Sequence, residues 1–189
     1  LKNVSLVEGD GAKLPFPDRS FDLITSNLGI NNFDDPPAVF EECGRVAKKG
    51  GRLALTSNIR GHMSEFYEVY RRLLQEKGNA EYLERLEANE AHRYSKESIC
   101  ELLEHAGFRV KRAEELPFTM RYLDGTAFFH HWLSKTGFLP GWRKVVAPAD
   151  EASVFEELEF RLNALALVQG ELRLTIVRLF VEATFDHLP

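Results

Sequence analysis

Apolar and polar positions along the chain follow two rhythms, one of strands and one of helices. Asn3-Val4-Ser5-Leu6-Val7-Glu8 reads as a short strand ending at Gly9. Phe21-Asp22-Leu23-Ile24-Thr25-Ser26 reads as a second, mostly apolar on both sides as a buried parallel strand should be. Asp34-Asp35-Pro36-Pro37 predicts a helix start, with a capping carboxylate and then prolines in the first turn, where a missing N–H costs nothing. Phe40, Cys43 and Ala47 follow at helical spacing, flanked by Val39 and Val46. Lys48-Lys49-Gly50-Gly51 predicts the stop, with cations at the negative end and glycine beyond it. Arg52-Leu53-Ala54-Leu55-Thr56-Ser57 is a third strand. Strand, loop, strand, helix, strand is the order of an α/β sheet.

The later residues continue the pattern. Residues 62–90 predict two helical stretches parted near Gly78-Asn79, and Ser95 with Ser98 opens another helix that stops at Ala106-Gly107. Phe108 to Glu114 is strand-like. From Pro117 to Pro148 aromatics accumulate: Phe118, Tyr122, Phe128, Phe129, Trp132, Phe138 and Trp142. A helix is expected from about Asp150, with Phe155, Leu158, Leu162 and Leu165 on one stripe, closing at Gln169-Gly170. Leu172 to Phe185 predicts a long terminal strand whose apolar phase switches between Ile176 and Val177, so a bulge is expected there.

Composition narrows the classes. At 189 residues and 44% hydrophobic content the chain can bury a real core. Its net charge of −5 is spread along the sequence, which argues against a broad basic face for nucleic acid. Arg109-Val110-Lys111-Arg112 fits the solvated side of an edge strand better than a phosphate-binding patch. Cys43 and Cys100 sit inside helical patterns beside apolar residues, as buried free thiols of a reducing compartment do. No apolar run approaches the length of a membrane span and no signal peptide opens the chain, so a cytoplasmic location is expected.

Gly9-Asp10-Gly11 raises the question of a phosphate-binding loop. A dinucleotide fingerprint needs a third glycine and a helix N-terminus directly after it. Here the third glycine position is Leu14, and Pro15 and Pro17 forbid the helix. The same departures set aside a nicotinamide-dependent enzyme, and Lys13 lacks the Ser or Thr that a lysine-containing phosphate loop requires. What remains is an acidic residue at the carboxyl end of a strand, a residue without a side chain, and a proline-stiffened loop. Ligands of open α/β sheets bind beyond those strand ends. A carboxylate there can accept from an exocyclic amine while the next backbone N–H donates to a ring nitrogen, a pair that reads the edge of adenine. Asp10 as a turn cap is the structural alternative.

The stretch Asp10-Gly11-Ala12-Lys13-Leu14-Pro15-Phe16-Pro17-Asp18-Arg19-Ser20-Phe21-Asp22 resembles the "D-A-x-x-L-P-F-x-D-x-S-F-D" loop of class I S-adenosylmethionine-dependent methyltransferases, in their small-molecule branch. Ala47-Lys48-Lys49-Gly50-Gly51 matches that family's "L-K-P-G-G" helix end with Lys in place of Pro, and His105 to Phe108 matches its "H-A-G-F". The resemblance covers residues 4 to about 114, and more loosely the last strand. It implies a Rossmann-like sheet with S-adenosyl-L-methionine as cofactor. Asp10 would take the adenine amine and the Gly11 N–H the ring nitrogen, with Asn27 and Leu28 near the methionine part. Asn27 as a strand-end cap is the alternative. The family's glycine-rich loop and the acidic residue that holds the ribose are not matched here. The expectation is therefore a partial sheet lacking the first two β-α units, with an α-helical, aromatic insert before the last strand. By itself such a chain should bind the cofactor poorly. The strand at Phe21 should present an open edge, covered either by the Asn3–Glu8 strand or by a second copy as a homodimer.

The expected organisation is a core over 1–116, a helical insert or substrate cap over 117–170, and a terminal strand over 171–189 returning to the sheet. Methyl transfer to a small or lipid-like acceptor is the implied function. A non-catalytic module of the same fold, binding through the aromatic insert, is the alternative. Methyl transfer needs approach and alignment above all, and no metal-ligand set is apparent. His130 and His131 are adjacent, so on a helix they point about 100° apart and cannot share an ion. Residues expected near the acceptor are His62, Tyr94 with His92, Tyr122 and Trp132. The aromatic stretch as a group either lines an apolar pocket or forms the small core of the insert.

Overall fold

The structure, a computed structural model, describes residues 2–186. Four strands form one sheet in the order β1-β2-β4-β3, with β1 Phe21–Asn27, β2 Ala47–Asn58, β3 Phe108–Tyr122 and β4 Leu172–Phe185. β1 and β2 are parallel, and β2 and β4 are antiparallel. The helices are α1 Pro36–Val46, α2 Ser64–Lys77, α3 Ala80–Ala91, α4 Lys96–His105, α5 Gly125–His130, α6 Leu139–Arg143 and α7 Pro148–Gln169. This is the α/β class expected from the pattern, with the Rossmann-like sheet that the resemblance implies.

The chain divides into two units. The first holds residues up to Ile59, Tyr94–Leu116 and the residues from Arg178 onward; the second holds Arg60–Arg93 and Pro117–Val177.

In the first unit, α1 connects the parallel strands β1 and β2. Asp35 caps it, its carboxylate accepting from the Ala38 N–H at 3.1 Å, and Pro36 and Pro37 open the first turn as expected. Val39, Phe40, Cys43 and Val46 form its buried stripe. On β2, Leu53 and Leu55 lie opposite Ala183 and Val181 of β4, and all four are buried. α4 begins with the expected capping box, in which Ser95 and Ser98 each serve the other's backbone N–H. It packs on α1 where Gly44 lets the backbones meet: a Cβ there would stand 2.6 Å from the Ala106 carbonyl oxygen. β3 is an edge strand, and Arg109, Lys111 and Arg112 are exposed on it.

Three expectations in this unit are corrected. Residues 3–8 form no strand; Lys2 to Asp10 are all exposed, because extended backbone becomes a strand only when a neighbour takes its hydrogen bonds. They do not cover β1, which is an edge strand with no fully buried residue rather than a strand buried on both faces. Finally, α1 stops at Val46 and Lys48-Lys49-Gly50-Gly51 already belong to β2, where the β1–β2 register shifts between Phe21 and Leu23.

The second unit has its own core. α2 contributes Phe66, Tyr67, Tyr70, Leu73 and Leu74, and α7 contributes Val154, Leu158, Leu162 and Ala166 at four-residue intervals. Phe155 and Leu165, expected on the α7 stripe, flank it half-buried. Phe128, Phe129 and Trp142 fill the space between, with the Phe66 and Trp142 rings 4.1 Å apart. The aromatic stretch is thus largely core. Gly125 admits α5 against α7, since a Cβ would come within 2.6 Å of the Leu162 Cβ. Along β4, Leu172, Leu174 and Ile176 are buried, then Leu179, Val181 and Ala183; the slip in phase is taken up at Val177 and Arg178.

Candidate functional site

The loop from Asp10 to Ser20 has no regular structure of its own, and two side chains of α1 hold it. Arg45 donates through Nη1 to the Phe16 carbonyl and to Asp18, both at 2.8 Å, and through Nη2 to the Leu14 carbonyl at 3.0 Å. Glu42 accepts from the Leu14 N–H at 2.8 Å and grips Arg45 through both oxygens at 2.7 Å. The Arg45 guanidinium, with help from the Leu14 N–H, holds the Glu42 carboxyl down at about 2, and Arg45 in turn is raised. Phe16 meets Phe21 edge-on at 5.0 Å, and backbone bonds from Arg19 and Ser20 to the last turn of α1 complete the attachment. The sequence reading did not single out this pair. Its signal is an acid and a base three apart on the polar side of a helix, a spacing common on ordinary helix surfaces.

Because β1 and β2 are parallel, α1 runs back between them, and its first turn lies at their carboxyl ends. Gly11 rests against Val39 in that region, where an added Cβ would stand 3.4 Å from a valine methyl. Asp10 is exposed. One of its carboxylate oxygens accepts from the Ala12 N–H at 2.9 Å, the turn-capping role foreseen as an alternative. The other oxygen and the Gly11 N–H make no hydrogen bond among the described residues.

At the tip of β1, the Asn27 side chain accepts from the Thr56 hydroxyl of β2 at 2.5 Å. Leu28 follows in the left-handed region with φ 59°, its N–H donating to the Thr56 carbonyl at 2.9 Å. A leucine held there is strained, and such strain gathers at ligand sites. Asn31 ties the next turn down by donating to the Asn58 carbonyl at 2.8 Å.

The acceptor candidates separate. Tyr94 is half-buried in the first unit. His62, Tyr122 and Trp132 belong to the second. His62 is buried with its ring 5.6 Å from Phe138. Tyr122 packs on Phe128 and His131, and burial pushes its hydroxyl up. Trp132 is 73% exposed. His92 is exposed, its Nδ1 on the Asn89 carbonyl, and burial within its turn lowers it. Among the described residues, no group of three or more His, Cys, Asp or Glu could hold a metal ion. No helix among them is long and apolar enough to cross a membrane.

Residues 1–55, the stretch that carries this loop and the tip of β1, match the methyltransferase domain family. A demethylmenaquinone methyltransferase of Corynebacterium kroppenstedtii is 50% identical over 54 residues, covering 29% of this chain and 24% of the relative. One from Thermotoga maritima is 42% identical over 74 residues, covering 37% and 32%. The matched stretch thus spans under a third of each of these curated relatives. Among solved structures, a candidate methyltransferase of Bacillus halodurans superposes with a TM-score of 0.54 at 17% identity, covering 95% of this chain and 70% of that one. Residues 1–55 are thus similar to the methyltransferase domain, and nearly the whole chain shares the fold of the Bacillus halodurans protein.

Proposed function

We propose that the chain contributes part of an S-adenosylmethionine-dependent methyltransferase site, with Asp10 and Gly11 holding the adenine edge and Asn27 and Leu28 lining the methionine end. One observation carries the reading: in a loop clamped by Glu42 and Arg45, one Asp10 oxygen and the N–H of the next residue, Gly11, make no hydrogen bond among the described residues. An acceptor and a donor on adjacent residues suit the amine and ring nitrogen of adenine. The cofactor supplies an activated methyl on sulfur; the chain's part is to orient it and exclude water. The glycine-rich loop that would hold the rest of the cofactor has no match among these 189 residues, so binding by this chain alone is expected to be weak.

The acceptor is small or lipid-like, in keeping with relatives named for demethylmenaquinone. Residues 117–170 form the acceptor-selecting part in this reading, with His62 a candidate base. Scattered charge argues against nucleic acid, and both cysteines are free thiols, as a cytoplasmic protein's are. The open edge of β1 is covered by a further strand, in this chain alone by a second copy.

The test is amide-resolved NMR with S-adenosylhomocysteine at millimolar concentration. Shifts centred on Gly11 and Leu28, abolished in Asp10→Ala, are expected. Shifts elsewhere, or an unchanged response in the variant, would overturn the assignment.

A further inference from the structure

Arg93 is a charge in an unusual setting. It is 5% exposed, yet no carboxylate of the described residues comes within ion-pair distance of it. Glu90, three positions earlier, is taken by Arg71. Burying a cation without a counter-charge is costly, and the partners present do not repay it fully. Those partners are dipoles and a ring. Its Nη1 donates to the Tyr67 hydroxyl at 3.0 Å, its guanidinium carbon lies 5.7 Å from the Tyr67 ring centre, and it follows the carbonyl end of α3.

The network behind it is complete. The Tyr67 hydroxyl accepts from Arg93 and, at 3.1 Å, from the Trp142 Nε1, and it donates to the Asn89 side chain at 3.0 Å. One donor and two acceptors are all that a hydroxyl has, so Tyr67 is saturated and fixes the Arg93 fork in place. The other guanidinium nitrogens, Nε and Nη2, make no hydrogen bond among the described residues and keep slight contact with solvent. Arg60, exposed and without an acidic partner among the described residues, donates through Nε to the Arg93 main-chain carbonyl at 3.2 Å, which puts a second guanidinium against the Arg93 backbone. A neutral glutamine would satisfy the Tyr67 hydroxyl without any buried charge, so packing alone does not account for arginine here.

We propose that Arg93, supported by Arg60, is an oxyanion-binding site of the second unit that takes the carboxylate or phosphate group of a small ligand. A planar fork held from behind, with its remaining donors unpaired among the described residues, matches two oxygens of such a group. The site goes beyond the methyl-transfer reading and stands whether or not the cofactor assignment does.

The structure supplies the reporter. Trp142 touches Tyr67, and the chain's other tryptophan, Trp132, is exposed. In Trp132→Phe the emission comes from Trp142 alone. Sodium phosphate and sodium acetate are titrated separately, with sodium chloride at matched ionic strength as reference. Saturable change with at least one oxyanion is expected: with phosphate alone for a phosphate ligand, with acetate alone for a carboxylate, with both for either group. Arg93→Lys, which keeps the charge and loses the fork, should weaken it about tenfold. Arg60→Gln, a surface change that leaves the core intact, should weaken it severalfold. No saturable response beyond chloride overturns the site, as does equal affinity in both variants. Arg93→Gln should lose the response; if that protein does not fold, the other two variants decide.

Discussion

Glu42 and Cys43 are neighbours on α1 with opposite environments. Burial pushes the Cys43 thiol up to about 11, so at pH 8 it stays protonated and unreactive in the folded chain. A thiol reagent at that pH should label Cys100 first, and Cys43 only on unfolding; prompt labelling of both would contradict the packing of α1. Glu42 moves the other way, its carboxyl held near 2 by Arg45. A lowered carboxyl stabilises the fold fully above the ordinary carboxylate range, and that contribution is lost as pH falls from about 4.5 through about 2. A carbon-13 titration of the Glu42 carboxyl should show it near 2, and back in the ordinary range in Arg45→Met. If the variant still titrates near 2, the clamp is not the cause. The turn cap made by Asp10, by contrast, was legible as an alternative from its sequence neighbours, because a small residue and two prolines beside an acid leave few conformations open.

Between elements, the closest approach in the first unit is α1 on α4 at Gly44. Gly44→Ala sets two effects against each other. Helix propensity favours alanine by about 1 kcal/mol. The new Cβ would sit 2.6 Å from a backbone carbonyl oxygen, and overpacking of that kind costs about 1–3 kcal/mol. The neighbour is main chain and cannot rotate away, so the clash wins and urea unfolding should show net destabilisation. A gain in stability would mean that the helices separate easily. The elements themselves were mostly readable: α4 from its serine pair, the break between α2 and α3 from Gly78-Asn79, β4 from Leu172 to Phe185. The end of α1 was not. Two lysines and two glycines look like a helix stop, but they follow a helix that has already ended and lie within β2, in the register gap between Ala47, opposite Phe21, and Arg52, opposite Leu23.

At the level of the whole chain, the sheet has β1 on one edge with Leu23 47% exposed. An apolar strand with unpaired backbone groups recruits a partner. Sedimentation velocity of this chain should show concentration-dependent self-association, removed by Leu23→Lys. A parent that stays monomeric at high concentration would mean that the edge is not covered by a second copy.

The amino-acid order alone determined the α/β class, the caps and the loop that points to the family, because these depend on neighbours a few residues apart. Folding in three dimensions settled the rest. Whether residues 3–8 pair, whether Phe128 and Trp142 line a pocket or fill a core, and that Arg93 is buried with no acidic partner among the described residues all depend on residues distant in sequence. Hydrogen-bond partners and desolvation are set by such contacts, and local pattern carries no record of them.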